Sequence, residues 1–287
     1  MNLFHYVSEY IYSWIKRQPK VKEETLTDWL LDRISTGCSR IVYQTFSRWE
    51  ESQNGIDWEW WVLTGENQNS CTGYCFLVQA KKLKAGEDNY PSVAYGNKNG
   101  FQIDLLRKSA IQKGALPMYM FYSTASADNL RSKCIEPLFS SSYAEWCRNC
   151  LNGCFLSPAD LIYKELFDVP RRKLGEEDIL GLSLKLSLLD RFNPNSADKY
   201  MSILNKRYIN FVQNMEKQDG GIHLSHEFMH RGIRHHNSDI PKYVWDILQA
   251  QGKEVEWLQK EYRYQLETLA GVGVIDLRDT NHIGNCK

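Results

Sequence analysis

The sequence predicts a mixed α/β (α+β) fold with an αβββαβ core over residues 23–125. An N-terminal helix precedes it over residues 1–22, and a mostly helical accessory region follows over 126–287. Three observations lead there. Between Arg40 and Leu83, three β-like runs follow one another with turn residues between them. The segments flanking those runs repeat apolar residues at helical spacing. From Ser157 onward helical spacing dominates until a β-like run near the end, "GVGVIDLRD", which is a candidate to join the sheet.

Each element has its own signal. "MNLFHYVSEYIYSWIKR" is amphipathic, with Ser8, Glu9 and Ser13 between its apolar residues. "EETLTDWLLDRIS" puts Leu26, Trp29, Leu30 and Ile34 on one helix face. "RIVYQTFSRWEES" alternates as a strand does, and "QNG" after it is a hairpin signal. "IDWEWWVL" is a second strand, "GENQNSCTG" a polar loop, and "YCFLVQAKKL" a third strand, so the three form a meander. "FQIDLLRKSAIQKG" is a helix closed by Gly114, and "LPMYMFYST" is a fourth strand. Further on, "SPADLIYKELF" starts a helix with Ser157 as cap and Pro158 at its first position. "GEEDILGLSLKLSLLDRF", "SADKYMSILNKRYINFVQNME" and "IPKYVWDILQAQGKEVEWLQKEYRYQLETL" are helical. A domain boundary falls near 125–140.

At 287 residues the chain can bury a substantial core without staples. Lysine plus arginine equal aspartate plus glutamate at 35 each, so any nucleic-acid surface is a local patch. No window reaches the roughly 18 apolar residues of a membrane span, and the N-terminus does not read as an export signal. A cytoplasmic protein without membrane contact is expected, its eight cysteines reduced.

The chemistry-bearing stretch is "IDWEWWVL". Strand side chains alternate, so Asp57 and Glu59 point one way, Trp58 and Trp60 the other. In the next strand Gln79 and Lys81 share a face. Neighbouring strands of a meander would gather the four on one face. A hard cation such as Mg²⁺ takes oxygen ligands. Asp57, the Gln79 side-chain carbonyl and the Ala80 backbone carbonyl can supply them, and Lys81 can orient a water or offset phosphate charge. That set fits metal-assisted hydrolysis of a phosphodiester. The plain alternative is a solvated, salt-bridged sheet face, because surface ion pairs are common and contribute little.

Asp57, followed 22 positions later by Gln79-Ala80-Lys81, resembles the PD-(D/E)xK, or restriction-endonuclease-like, superfamily in its QxK variant. The ordered segments "EETLTD", "GIDWEWW", "VQAKKL", "FQIDLL" and "PMYMFYS" are similar to an uncharacterised bacterial family with this core; "PADLIY" and "IPKYVWDIL" continue the likeness. The resemblance implies an Mg²⁺- or Mn²⁺-dependent endonuclease acting on nucleic acid, DNA rather than RNA. By fold analogy it implies defence against foreign DNA, with a second copy or a defence-system protein as further partners. Asp57 takes the motif aspartate, Gln79 the acidic position and Lys81 the lysine. Gln79 is neutral, so Glu59 is expected to make up the charge as a further ligand. The superfamily often adds an acid from the first helix. A helical wheel favours Glu23, the string "ETLT" favours Glu24, and both stay open. Gln102 and Asp104 are either cleft residues or ordinary helix-start residues.

Two other readings compete. His226-Glu227-x-x-His230 matches the zinc-protease pattern HExxH, with His223, His235 and His236 nearby. Gly220, Gly221 and Gly232 bracket it too closely for the long helix a zincin needs. The second is a non-catalytic nucleic-acid-binding module. Cys147, Cys150 and Cys154, with Cys134, lack the paired half-sites of structural zinc. Basic clusters occur at Lys81-Lys82-Lys84, Arg107-Lys108, Arg171-Arg172-Lys173 and Lys206-Arg207, the first beside the expected cleft.

Overall fold

The computed structural model describes residues 2–46, 55–67, 69–83, 96–97, 100–124, 152–167, 174–191, 194–219, 224–251, 253 and 256–278. In chain order the elements are α1 (Leu3–Arg17), α2 (Glu23–Gly37), β1 (Ile41–Thr45), β2 (Trp58–Thr64), β3 (Thr72–Lys82), β4 (Gly96–Asn97) and β5 (Gly100–Phe101). Then come α3 (Gln102–Lys113), β6 (Ala115–Tyr122), β7 (Cys154–Pro158), α4 (Ala159–Phe167), α5 (Glu176–Gly181) and β8 (Leu184–Lys185). The last are α6 (Pro194–Asp219), α7 (His226–Arg231), β9 (Arg234–His236), α8 (Lys242–Ala250), α9 (Glu256–Glu261), α10 (Arg263–Leu266) and β10 (Gly271–Asp276). The fold is mixed α/β, as expected. Among the described residues no helix is long and apolar enough to cross a membrane.

Contacts divide the chain into two compact units, each assembled from three stretches. The expected boundary near 125–140 lies outside the described residues.

The first unit comprises Met1–Leu30, Gln79–Arg107 and Pro117–Arg191. Its strands run β6-β7-β8, both pairings antiparallel. β6 is buried at every position, the pattern of a strand covered on both faces. α1 buries Val7, Ile11 and Ile15, and its first turn is capped by the Asp190 carboxylate, which accepts from the N–H groups of Phe4 (2.9 Å) and His5 (2.8 Å). Buried Ser8 accepts from the Gly153 and Cys154 N–H groups. A Cβ on Gly153 would lie 2.3 Å from the Tyr12 nitrogen, so only glycine lets the two backbones meet.

The second unit comprises Leu31–Val78, Lys108–Leu116 and Phe192–Lys287. Its strand order is β1-β10-β2-β3, with β9 also on β3. The expected meander is corrected here. β2 and β3 do form a hairpin, with Trp58 opposite Val78 and Glu59 opposite Leu77. β1, however, pairs antiparallel with β10, and β10 lies parallel to β2. The C-terminal run thus joins the sheet between β1 and β2, not at its rim. It fits because Gly273 leaves room for the Trp60 ring, which a Cβ there would meet at 2.5 Å, and Gly271 does the same for Tyr43.

A second correction concerns α4. Ser157 and Pro158 end β7, and the helix starts at Ala159. Ser157 is buried and donates to the Leu182 carbonyl instead of capping. The last helical run is three short helices, broken after Ala250 and again at Tyr262.

Candidate active site

Asp57 sits immediately before β2. Its N–H donates to the Val78 carbonyl (2.9 Å) and its carbonyl accepts from Ala270 (2.7 Å), so hairpin and β10 together fix its backbone. Its side chain is half-buried.

Along β3, alternation puts Gln79 and Lys81 on the face that Leu77 presents beside Glu59. Gln79 is 4% exposed, and its Nε2 donates to Gln102 Oε1 (3.3 Å) at the start of α3. Its own Oε1 is buried and has no hydrogen-bond partner among the described residues. Lys81 is half-buried. Of the two first-helix acids, Glu23 reaches β3: its carboxylate accepts from the Lys82 N–H at 2.6 Å. Glu24 is exposed. Asp104 is half-exposed; burial pushes its carboxyl up, and Arg107 pulls it back.

Glu59 is not where a metal ligand is expected. Its side chain is fully buried. One oxygen accepts from Trp61 Nε1 and from the Tyr243 hydroxyl (2.6 Å), the other pairs with Lys113 Nζ. With both oxygens engaged inside the second unit, Glu59 is a paired core anion and leaves the ligand set. Burial opposes charge on Lys113, but the neighbouring carboxylate outweighs it and the ammonium is held well above its ordinary range. Burial, then Glu59, pushes the Tyr243 phenol far up, so it stays a neutral donor. An open groove of about 330 Å³ lies over Lys113, walled by Ile56, Leu77, Ser109, Gln112 and Leu269.

The residue type and spacing of Glu59 gave no hint of these partners. Lys113 lies 54 positions away and Tyr243 lies 184 away. Trp61, two positions along on the same strand face, was the one partner that alternation could have supplied.

The chain belongs to a family of unknown function, DUF6615, which it matches over residues 1–279. No curated protein and no solved structure matches it.

Of the rival histidine motif, His223 and the side chains of His226 and Glu227 lie outside the described residues. α7 is six residues long, capped by Ser225 Oγ on the Phe228 N–H and ended at Gly232, whose φ is +60°. His230 and His236 are exposed. His235 is buried, with Nε2 at 2.9 Å from the Gly114 carbonyl and its ring edge-on to Trp61. Burial lowers its pKa, so it is neutral. Among the described residues no group of three or more His, Cys, Asp or Glu is placed to hold a metal ion. Cys134, Cys147 and Cys150 lie outside the described residues, as do Lys84 and Arg171-Arg172-Lys173. Cys71, Cys75 and Cys154 are free and buried. Cys38 is disulfide-bonded, which departs from the expectation of uniformly reduced thiols. Lys82 donates its ammonium to the Pro19 and Val21 carbonyls, and Arg107 is buried against Asp160 (2.5 Å). Two of the four basic clusters are therefore partly structural.

Proposed function

We propose that this chain is a metal-dependent nuclease hydrolysing phosphodiester bonds of nucleic acid, with Asp57, Gln79 and Lys81 as its reacting set. The observation that carries the reading is the orphaned Gln79 oxygen. A buried acceptor without a donor costs about 1–3 kcal/mol and calls for a reason. At the motif position a hard cation supplies one, because an amide oxygen is an ordinary ligand for it.

The donor set fits such a cation. Asp57 would bring the anionic oxygen, Gln79 a neutral one, and Ala80 is expected to add its carbonyl. Bound there, Mg²⁺ or Mn²⁺ would polarise the phosphate and acidify a water. The chain's own residues do the remainder. Gln102 holds the Gln79 carboxamide by its nitrogen, and the buried oxygen keeps no hydrogen-bond partner among the described residues. Glu23 fixes the strand end by its bond to the Lys82 N–H. Lys81, two residues along from Gln79 on the same strand face, brings an ammonium for phosphate charge or for orienting the attacking water. Hydrolysis by water leaves no covalent enzyme intermediate. DNA is the expected substrate and defence against foreign DNA the expected role, the latter from analogy of fold alone.

Incubating plasmid and RNA with a panel of divalent metals tests the reading. Cleavage should require Mg²⁺ or Mn²⁺, and Asp57→Ala and Lys81→Ala should each lower the rate about 100-fold or more, roughly 3 kcal/mol of barrier. Unchanged cleavage by Lys81→Ala would place the active site elsewhere.

A further inference from the structure

We infer, resting on the nuclease reading, that Phe101 and Phe167 form a stacking platform for unpaired bases, so that the substrate is held as a single strand. The inference rests on a graded column of side chains in the first unit. At its inner end Arg107 is 3% exposed and ion-paired with buried Asp160. The Arg107 guanidinium lies 3.5 Å from the Tyr163 ring centroid. Tyr163 contacts Phe167 at 4.5 Å, and Phe167 meets Phe101 edge-on at 5.9 Å. Asp160, Tyr163 and Phe167 recur at i, i+3 and i+7, one face of α4.

The outer end of the column is open: Phe101 is 43% and Phe167 42% exposed. A single exposed phenylalanine is ordinary. Two in contact, anchored on a buried ion pair, form a pre-ordered apolar surface that loses little side-chain freedom on binding. Its position narrows the occupant. Phe101 adjoins Gln102, whose carboxamide holds Gln79. A substrate whose phosphate meets the cation proposed at Gln79 carries bases on the same chain, and bases stack on aromatic rings regardless of sequence. A duplex hides those faces between its base pairs, so only an unpaired base can use the platform.

The test uses the full chain carrying Lys81→Ala, so that bound strands survive. Fluorescence anisotropy is measured with labelled oligothymidylate, oligouridylate and a DNA duplex of equal length. Adding Phe101→Ala or Phe167→Ala should weaken single-strand binding about 5- to 150-fold and leave duplex binding within about 2-fold. Phe101→Tyr should keep the affinity and Phe101→Leu should lose it, which separates stacking from mere apolar contact. The thymidylate and uridylate arms decide whether the strand is DNA or RNA. Equal affinities across all variants, or equal losses for single strand and duplex, overturn the platform. Cleavage assayed alongside keeps the two claims apart. If Lys81→Ala alone abolishes cutting while the phenylalanine variants bind like their parent, the nuclease stands and the platform falls. If Lys81→Ala still cuts, the assignment of the active site to Asp57, Gln79 and Lys81 falls, and the platform's place beside that site falls with it.

Discussion

Glu59 shows how a strand can carry a carboxylate among tryptophans. Three donors satisfy it, and Lys113 neutralises it. Such a pair contributes little net stability over an apolar pair, yet removing one partner is costly. Lys113→Met should therefore destabilise by about 3–5 kcal/mol in urea unfolding, because Glu59 is left charged and fully buried. Glu59→Gln should cost less, since Lys113 keeps 30% of its side chain exposed and can turn to water. Equal losses would show that Lys113 has no such outlet. Buried thiols set a pH dependence. Burial, then Glu59, pushes the Cys75 thiol well above its ordinary range, while Lys113 and Arg231 pull it back. Burial also lifts Cys71 to about 11 and Cys154 higher still. In the unfolded chain each ionises near pH 8.5 (roughly). Above that pH the unfolded chain has released protons that the folded chain keeps, so stability is full below it and falls as pH rises. Each thiol contributes a slope of about 1.4 kcal/mol per pH unit. Cys75→Ala should reduce the slope between about pH 9 and 10 by that amount. A slope identical to the parent's would mean that Cys75 ionises inside the fold.

At the scale of elements, what was local was legible. α1, α2, α3, β2, β3 and β6 appear where periodicity and turn residues put them. The shared face of Gln79 and Lys81 follows from strand alternation alone. Pairing across distance was not legible. β1 and β2 are separated by a hairpin signal, yet β10 comes between them from more than 200 residues downstream. Nothing in "GVGVIDLRD" states which neighbours it takes; the information lies in its glycines, which receive Tyr43 and Trp60. Ser157-Pro158 carries a good helix-start signal, but pairing of β7 with β6 overrides it. The same limit hid the fate of Glu59. Two predictions follow from the inserted strand. Gly273→Val should cost about 1–3 kcal/mol, the usual range for overpacking, because the new side chain meets Trp60. Truncation after Ala270 removes the strand that both β1 and β2 bond, and should abolish the cooperative melt followed by circular dichroism. A truncated chain that melts cooperatively would show β10 to be an accessory to the sheet.

At the scale of the whole molecule, charge balance constrains how any nucleic acid is held. The chain carries 35 basic and 35 acidic residues, so no broad positive field draws a polyanion in. The basic residues flanking the candidate site are further depleted by structure. Lys82 spends its ammonium on the Pro19 and Val21 carbonyls, and Arg107 is locked to Asp160 beneath Tyr163. Of those two clusters' described members, Lys81 remains half-buried and Lys108 exposed. Binding should then depend on few phosphate contacts and, on the platform reading, more on stacking. Each phosphate contact on a single strand contributes about −0.7 to the slope of log K against log salt. Two or three contacts give a slope of about −1.5 to −2, shallow beside that of a basic DNA-binding surface. Lys81→Ala should make it shallower by about 0.7. Lys82→Ala should leave the slope unchanged while lowering thermal stability, because its ammonium holds the linker between α1 and α2. Anisotropy titrations of oligothymidylate at several salt concentrations measure all three chains. A slope near −5, insensitive to Lys81, would mean that the strand is held by basic residues far from Gln79, and the site would no longer account for the binding.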